Sequence, residues 1–449
     1  MERLLIESAL DRVRAALENN DFDQAIHIIE GLRPPDQAEV FAELEPEDQV
    51  ALLPQLDPAD SADILEELEE EEAAELASTL PTSTLSRIVD EMEPDEAADL
   101  LGDISDEQAE AVLASLEDPD EVRPLLMHPD DTAGGLMTSE FLALRRRTTV
   151  AEALEAVRQW HPEGHVADQL FVIDANRVLH GVVTLRQLIL AEPHQRMVDI
   201  MNPEVISVPV GTDQEECARL MDRYDLLALP VVDEHHRLLG VITVDDLVDV
   251  LQEEVTEDIQ RLGGAQPLGG PYLETNVIRV ARSRIGWLLI LFLTGTLTGS
   301  VLRLFSYELE AVVALAYFIP LLIGTGGNAG SQTISTIVRG LAVGDIGLGD
   351  GLRVLWHELR VGLLLGIVMG TVGYIRALTW GIEHPVAIAV ALALLMIVLW
   401  ANIIGSALPL LASRLRIDPA IVSGPFMSTL VDATGLLIYL SVAKAILGI

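Results

Sequence analysis

From Arg284 to the carboxyl end the chain consists of long uncharged stretches, and nothing else in it limits the possible folds so sharply. Ile285–Leu302, Ala311–Val338 and Pro385–Ser413 contain no acidic or basic residue, and the stretch from Arg360 to Gly381 is interrupted only by Arg376. Pro419–Ala443 is a fifth such stretch, broken only by Asp432, with 13 residues before it and 11 after. A helix of that length spans about 37 Å, enough for a bilayer core of roughly 30 Å. The sequence therefore predicts five transmembrane helices. Asp432 falls near mid-membrane, where an ionised side chain costs roughly 2.5–3.5 kcal/mol. Such a group either faces a watery cavity or a cation, or sits protonated and hydrogen-bonded inside a helix bundle.

Of the 71 acidic and 28 basic residues, 8 and 9 lie from Arg284 onward, which leaves 63 and 19 before it and a formal charge of −44 on that part. A surface so acidic excludes nucleic acid and anionic lipid as partners, because phosphate binding needs a positive field. It suits cations, or serves solubility alone. Cys217 is the single cysteine, so no intrachain disulfide forms and nothing points to an oxidising compartment. The start, Met1 to Glu7, has neither a basic n-region nor an apolar h-region, so no signal peptide is read there and the acidic part is expected in the cytoplasm.

The first segment repeats every twelve residues: RPPDQAEVFAEL, EPEDQVALLPQL, DPADSADILEEL, EEEEAAELASTL, PTSTLSRIVDEM, EPDEAADLLGDI, SDEQAEAVLASL. The last position of each unit is apolar, from Leu44 through Leu56, Leu68, Leu80, Met92 and Ile104 to Leu116, and so is the position four residues earlier. This spacing predicts one short amphipathic helix per unit, opened by Pro or an acid. A single unit cannot bury its own stripe, so the helices should stack as a solenoid.

From about Gly134 the pattern changes. QLFVIDANRVLHGVVTLRQL (169–188) and ALPVVDEHHRLLGVITVDDL (228–247) are near copies, each a strand, an Asp turn, a second strand and a helix start. Each follows a lead containing Met-Thr or Met-Asn-Pro. The pair resembles tandem CBS domains, βαββα modules that often sense adenine nucleotides or ions. The Gly-φ-φ-Thr-x-x-Asp signature, with φ apolar, is complete from Gly240 to Asp246, whereas Gln187 stands at the ribose-binding Asp position of the first copy. The resemblance thus implies ATP only weakly here.

A helical linker follows, in which Asp245, Asp246, Asp249, Glu253, Glu254, Glu257 and Asp258 fall at i, i+3 or i+4 spacing, with Arg261 close by. Like charges at that spacing repel, so the face calls for a divalent cation or stays merely solvated. Arg279, Arg282, Arg284, Arg339, Arg353, Arg414 and Arg416 lie in the candidate inner loops. This bias predicts a cytoplasmic amino terminus and an outer carboxyl terminus. In the second span, FIPLLIGTGGNAGSQT (318–333) places Pro320, four glycines, Asn328, Ser331 and Gln332 at membrane depth. Such glycines permit close helix packing or open the backbone along a cavity. Carbonyls beside a mid-membrane carboxylate describe a path for a hydrated hard cation such as magnesium.

Acidic repeats, TAGGLMT, the CBS pair, EEVTEDIQRLGG, PLLIGTGGNAGSQ and DPAIVSGPFMSTLVDATGLLIYLS together resemble the MgtE family of magnesium transporters along essentially the whole chain. The resemblance implies a multi-domain membrane protein: an α-helical superhelical N-terminal domain (1–132), α/β tandem CBS domains (133–198 and 199–255), a connecting plug helix (256–283) and a five-helix α transmembrane domain (284–449). It implies a homodimer in the cell (inner) membrane with the pore between the two membrane domains, importing Mg²⁺ and closed by Mg²⁺ bound to its own cytosolic acids. By that resemblance Asp432 holds hydrated Mg²⁺, with Gly324, Gly327, Asn328 and Ser331 beside it, and Asp418, a further metal-binding carboxylate, meets the linker in the shut state. The implied sensing carboxylates are Asp63, Asp95, Asp99, Asp213, Glu215, Asp225, Asp246, Asp249, Glu254, Glu257 and Asp258. Gly424 and Ser428 stand where some members carry Asn and Ala. Two alternatives stay open: a less selective channel for Co²⁺, Ni²⁺ or Mn²⁺, and a CBS-type nucleotide sensor anchored in the membrane. No nucleophile–base pair or phosphate loop is present, and Gly326–Gly330 lacks the Lys-Ser/Thr of a P-loop, so no enzyme is expected.

Overall fold

The structure is a computed structural model that describes residues 2–160, 169–268, 272 and 275–449, without the side chains of residues 2–4, 249, 253 and 348. It divides into two compact units, Met1–Gln252 and Glu253–Ile449.

The first unit opens with α1 (Glu2–Glu18) and α2 (Phe22–Ile29), and the repeats follow as α3 (Pro34–Ala42), α4 (Pro46–Leu52), α5 (Pro58–Glu67), α6 (Glu70–Thr79), α7 (Thr82–Val89), α8 (Pro94–Asp103) and α9 (Asp106–Leu113). One helix per twelve residues is what the sequence predicts. Proline stands in the first turn of α3, α4, α5 and α8, where its missing N–H costs no helical bond. The helices stack for the most part on units other than their sequence neighbours. Thus α3 packs on α5, α4 on α6, α5 on α7, α6 on α8 and α7 on α9, making two rows. Polar groups tie the rows at a fixed offset: Gln37 Nε2 donates to Asp60 Oδ1 (2.9 Å) and Gln49 Nε2 to Glu72 Oε1 (2.8 Å), each 23 residues on.

After α10 (Pro119–Val122) come two modules. The first has β1 (Ala143–Arg145), α11 (Val150–Trp160), β2 (Gln169–Ile173), β3 (Leu179–Thr184) and α12 (Leu185–Leu190); α13 (Met197–Ile200) leads to the second, with β4 (Val208–Pro209), α14 (Gln214–Tyr224), β5 (Ala228–Val232), β6 (Leu238–Thr243) and α15 (Val244–Leu262). Each sheet has three strands, the first parallel to the second and the second antiparallel to the third. The paired leads have a structural reason, because each is held by the other module. Thr138 exchanges backbone hydrogen bonds with Val241, and Asn202 exchanges them with Val182. A Cβ on Gly240 would lie 2.6 Å from Met137 Sδ, and one on Gly181 2.6 Å from Met201 Sδ. The glycine of each Gly-Val-Val/Ile-Thr run therefore makes room for the methionine of the opposite lead. One hydrophobic core runs from Ile6 on α1 through the repeats to Val250 on α15.

The second unit contains α16 (Val277–Leu304), α17 (Ser306–Ala311), α18 (Ala314–Ala342), α19 (Gly351–Thr379), α20 (His384–Arg414) and α21 (Gly424–Leu447). Among the described residues, α16, α19, α20 and α21 are long and apolar enough to cross a membrane. The fifth expected span, α18, has the length at 29 residues, but its run of Gly, Asn, Ser, Gln and Thr lowers its apolarity. It is a continuous helix through its glycines, so the backbone is not opened there and its carbonyls serve the helix. Of the two sequence readings, the structure takes close packing. Phe318, Leu322, Ile397, Val431 and Tyr439 form the buried centre, and Tyr439 Oη donates to the Leu315 carbonyl at 2.9 Å, near Pro320. Outside this core, Lys444 Nζ lies 2.5 Å from the buried Glu308 Oε1.

Candidate functional site

Helices α18 and α21 run antiparallel, and the small residues between them set the register. Ser331 Oγ donates to the Gly424 carbonyl at 3.3 Å. A Cβ on Gly327 would lie 2.6 Å from Ser428 Oγ, and one on Gly330 2.7 Å from Met427 Cε. Hydrogen in place of a side chain lets the two backbones approach. One more turn in this register puts Asp432 level with Ile323 and Gly324. A Cβ on Gly324 would meet nothing within 4 Å. Gly324 and Asn328 are exposed, while Ser331 and Asp432 are half-buried. Asp432 makes no hydrogen bond or ion pair with any described residue. The predicted pore residues are thus brought together in two ways: Gly327 as a packing residue, and Gly324, Asn328, Ser331 and Asp432 on or beside an uncovered face that carries oxygen atoms. Ser428, noted as a departure, touches this packing directly, and Gly424 accepts the Ser331 hydrogen bond.

At the start of α21, Asp418 Oδ1 accepts from Ala420 N (2.7 Å) and Asp418 Oδ2 lies 2.7 Å from Arg261 Nη1. Arg261 also pairs with Glu257. The end of α15 thus reaches Asp418 through Arg261, a cation of the chain's own. Burial, then Asp418 and Glu254, pushes Asp258 up to about 6. Burial raises Glu257 as well, with Arg261 pulling the other way. The side chain of Asp249 lies outside the described residues.

A second acidic group lies in the first unit, where α8 and the start of α15 converge. Asp95 is buried, its Oδ1 has no hydrogen-bond partner, and its pKa is raised well above the ordinary carboxylate value by burial and then by Asp246. Asp245 Oδ1 is likewise buried without a partner. Glu93 and Glu96 keep solvent-facing surface, yet the protein packed around their carboxyls and the neighbouring acids push them up to about 7 and about 8. Asp99 rises to about 7 through burial and then Asp130, Glu70 and Asp103. Asp246 accepts from Thr243 Oγ1 at 2.6 Å, closing the turn from β6 into α15.

Orphaned carboxylate oxygens among desolvated acids fit a hard cation with oxygen ligands. Among the described residues no three such side chains converge tightly enough to form a metal site. Asp63 is half-buried on α5. Asp213 caps α14 by accepting from Glu215 N at 3.0 Å and its backbone bridges to Thr132, while Asp225 ends that helix with φ 51°.

Glu93 and Glu96 escaped the sequence reading, although the repeat holds a signal for one of them. Asp60 and Glu72 each receive a glutamine amide from 23 residues earlier, whereas the corresponding position for Glu96 is Ala73.

The matches to known proteins fall in the same places. Residues 32–131 match the MgtE intracellular N domain, 133–194 and 198–253 match CBS domains, and 319–442 match the MgtE divalent cation transporter domain. The magnesium transporter MgtE of Thermus thermophilus is 46% identical over 328 residues, which are 73% of this chain and 72% of that protein. This chain belongs to the MgtE family. The magnesium transporters MgtE of Enterococcus faecalis and Bacillus subtilis are 36% and 34% identical, over 72% and 71% of their lengths. The solved cytosolic domain of the Mg²⁺ channel MgtE in complex with ATP covers 54% of this chain and 99% of its own, with 39% identity and a TM-score of 0.51. The soluble part of a magnesium transporter gives 56%, 99%, 30% and 0.50 for the same measures. The MgtE cytosolic architecture with its CBS pair, followed by a helical membrane part, is therefore the fold of this chain.

Proposed function

We propose that this MgtE-family chain imports Mg²⁺ through a membrane pore and is closed by Mg²⁺ bound to its cytosolic acids. The observation that carries the reading is the uncovered face of α18 and α21, with Asp432 on it and no protein partner for its carboxylate. A carboxylate at that depth is not left against lipid. A second copy of the chain covering the face across a water-filled gap leaves Asp432 beside the permeating ion, so the protein works as a homodimer. In this reading α18 is the fifth span: its polar face lines water, which is why its composition is less apolar than that of the other four. The amino terminus and the acidic first unit are cytoplasmic and the carboxyl terminus is outside.

The domain layout follows: helical repeats to residue 132, CBS modules over 133–198 and 199–255, a connecting segment over 256–283 and the membrane domain from 284. Asp432 binds the hydrated ion, and Asn328 and Ser331 offer neutral oxygens along its path. Around Asp95, Asp99 and Asp246, together with Asp63, Asp213, Glu215, Asp225 and the linker acids Asp249, Glu254, Glu257 and Asp258, bound Mg²⁺ offsets like-charge repulsion and favours the closed arrangement by differential affinity. The chain is a transporter and not an enzyme. ATP at the CBS pair is a separate proposal, tested by ATP titration of the whole protein. It rests on the solved ATP complex of one relative and is weakened here by Gln187, which closes a capping box with Thr184.

The deciding experiment is Mg²⁺ flux into vesicles holding the full chain, with magnesium varied on the cytosolic side. Flux that falls as cytosolic Mg²⁺ rises supports the reading, whereas no flux at any magnesium level sinks it. Comparing Co²⁺, Ni²⁺ and Mn²⁺ in the same vesicles measures selectivity.

A further inference from the structure

Helix α19 sorts its residues onto two opposite faces. Glu358, Gly362, Gly366 and Gly370 recur every four residues and turn towards α20. A Cβ on Gly366 would lie 2.8 Å from the Leu395 carbonyl oxygen, and one on Gly370 2.7 Å from that of Ala391, so the two backbones touch along this face. Glu358 heads the row, where Asn402, buried on α20, donates Nδ2 to its Oε2 at 3.2 Å. The one carboxylate of α19 is thereby tied into the helix pair.

Arg353, His357 and Arg360, at spacings of four and three, share the other face. All three are exposed, and so is Trp356 beside them. Arg360 Nε donates to the Trp356 carbonyl at 3.2 Å, which folds the guanidinium back towards His357. Among the described residues Arg353 has Asp350 as its acid, 3.5 Å away, with 86% of the arginine side chain in the open, where such a pair is worth little. Leu364, Ile367, Val368 and Ile375 continue the same face along the helix, and all are exposed. Cations at one end and an apolar stripe beyond them repeat the order of a phospholipid, headgroup first and acyl chain after.

We propose that this face of α19 binds an anionic phospholipid, its phosphate held by Arg353 and Arg360 with His357 between them and an acyl chain lying along Leu364 and Ile367. The membrane orientation given under the proposed function makes it a lipid of the inner leaflet, and that part alone rests on that reading. Arginine forks match phosphate oxygens two at a time. The two arginines stand seven residues apart, about 10 Å along the helix, so their long side chains reach one phosphate from both sides. A zwitterionic headgroup would bring a cation of its own to a face whose nearest acid is Asp350, so net negative charge is preferred. Anionic lipid is a poor partner for the acidic part of the chain but not for this end of α19. The site is separate from the Asp432 face, because α19 packs on α20, which packs in turn on α18 and α21.

The test reads lipid contact and not transport. The full chain is placed in phosphatidylcholine vesicles to which either phosphatidylglycerol or phosphatidylcholine with dibrominated acyl chains is added, since bromine quenches a tryptophan it touches. The share of quenching due to Trp356 is the difference between the parent and Trp356→Phe. Half of that share should be lost at a fraction of brominated phosphatidylglycerol about fivefold to tenfold below the fraction of brominated phosphatidylcholine that does the same. Arg353→Gln together with Arg360→Gln should bring the two lipids within about twofold. Equal quenching of the parent by both lipids makes Trp356 and the arginines ordinary interfacial anchors and overturns the site, even if the double variant does not fold. So does a preference that survives the double change. Brominated lipid lies in both leaflets, so the result does not depend on the direction of insertion. Absence of Mg²⁺ flux with the expected quenching would count against the transport reading alone.

Discussion

Asp432 and Asp95 are both carboxylates short of partners, but their surroundings assign them different work. Asp432 borders an open face beside Gly324, whereas Asp95 is enclosed with an orphaned oxygen among other acids. Asp432→Asn keeps the volume and removes only the charge. It should abolish Mg²⁺ flux or its selectivity while leaving a folded dimer, checked by vesicle flux and size exclusion; flux at the parent rate in a correctly inserted variant would defeat the assignment. Glu96→Gln supplies an amide where Ala73 offers none. It should slow proteolysis of the first unit in chelator, roughly twofold to fivefold, and shrink the additional protection given by Mg²⁺. Proteolysis unchanged with and without Mg²⁺ would remove Glu96 from the sensor. Asp432 was legible in the sequence because a charge inside an uncharged run is a local signal. Glu96 was not, because its character comes first from burial in the folded stack, then from Asp99 and from Glu66 on another helix.

At the level of helices and strands, periodicity carried most of the information. The twelve-residue period predicts helices α3 to α9, and the duplicated strand–turn–strand runs predict β2–β3 and β5–β6, as the structure has them. Their partners were not legible: nothing in twelve residues says that a unit skips its neighbour to pack on the next but one. The glycine run in α18 admitted two outcomes in sequence, and packing against Ser428 and Met427 selected one. Arg261 shows the same limit, since its partner lies 157 residues away. For the linker, changing Asp249, Glu254, Glu257 and Asp258 together to Ala should leave the pore competent and move closure to higher cytosolic Mg²⁺, read as the midpoint of flux inhibition. If repulsion among these acids is instead what holds the pore open, the same variant will show lower flux at every magnesium level. An unchanged midpoint would mean a solvated helix face and a sensor elsewhere.

Taken whole, the molecule joins a strongly acidic part to a nearly neutral one, and its stability should follow pH accordingly. Glu93, Glu96 and Asp99 sit at about 7, about 8 and about 7, above their ordinary values of 4.5, 4.5 and 3.8. A carboxyl raised in the folded state binds its proton more tightly there. Its stabilising contribution is therefore complete below about pH 4 and is lost as pH rises through about 7 to 8. Mg²⁺ binding to the ionised cluster counters that loss, by about 2.7 kcal/mol at 100 times its dissociation constant. Protection of the full chain from protease by Mg²⁺, above all at 117–135 and 250–283, should thus be small at pH 6 and grow towards pH 8.5. Equal protection by Na⁺ at matched ionic strength would reduce the effect to general screening.

The 23-residue offset of the glutamine ties makes the repeat stack a ruler graduated in pairs of units. Each unit belongs to one row or the other, and its polar tie reaches forward within its own row, as Gln37 reaches Asp60 and Gln49 reaches Glu72. Removing one unit, residues 45–56, would move every later helix into the opposite row and misplace α8 against the modules it supports. Removing two, residues 45–68, would keep the rows and bring Gln37 to Thr84, whose hydroxyl can accept its amide. The stack should accordingly tolerate loss or gain of 24 residues and reject 12, which the thermal unfolding of the two deletions would reveal.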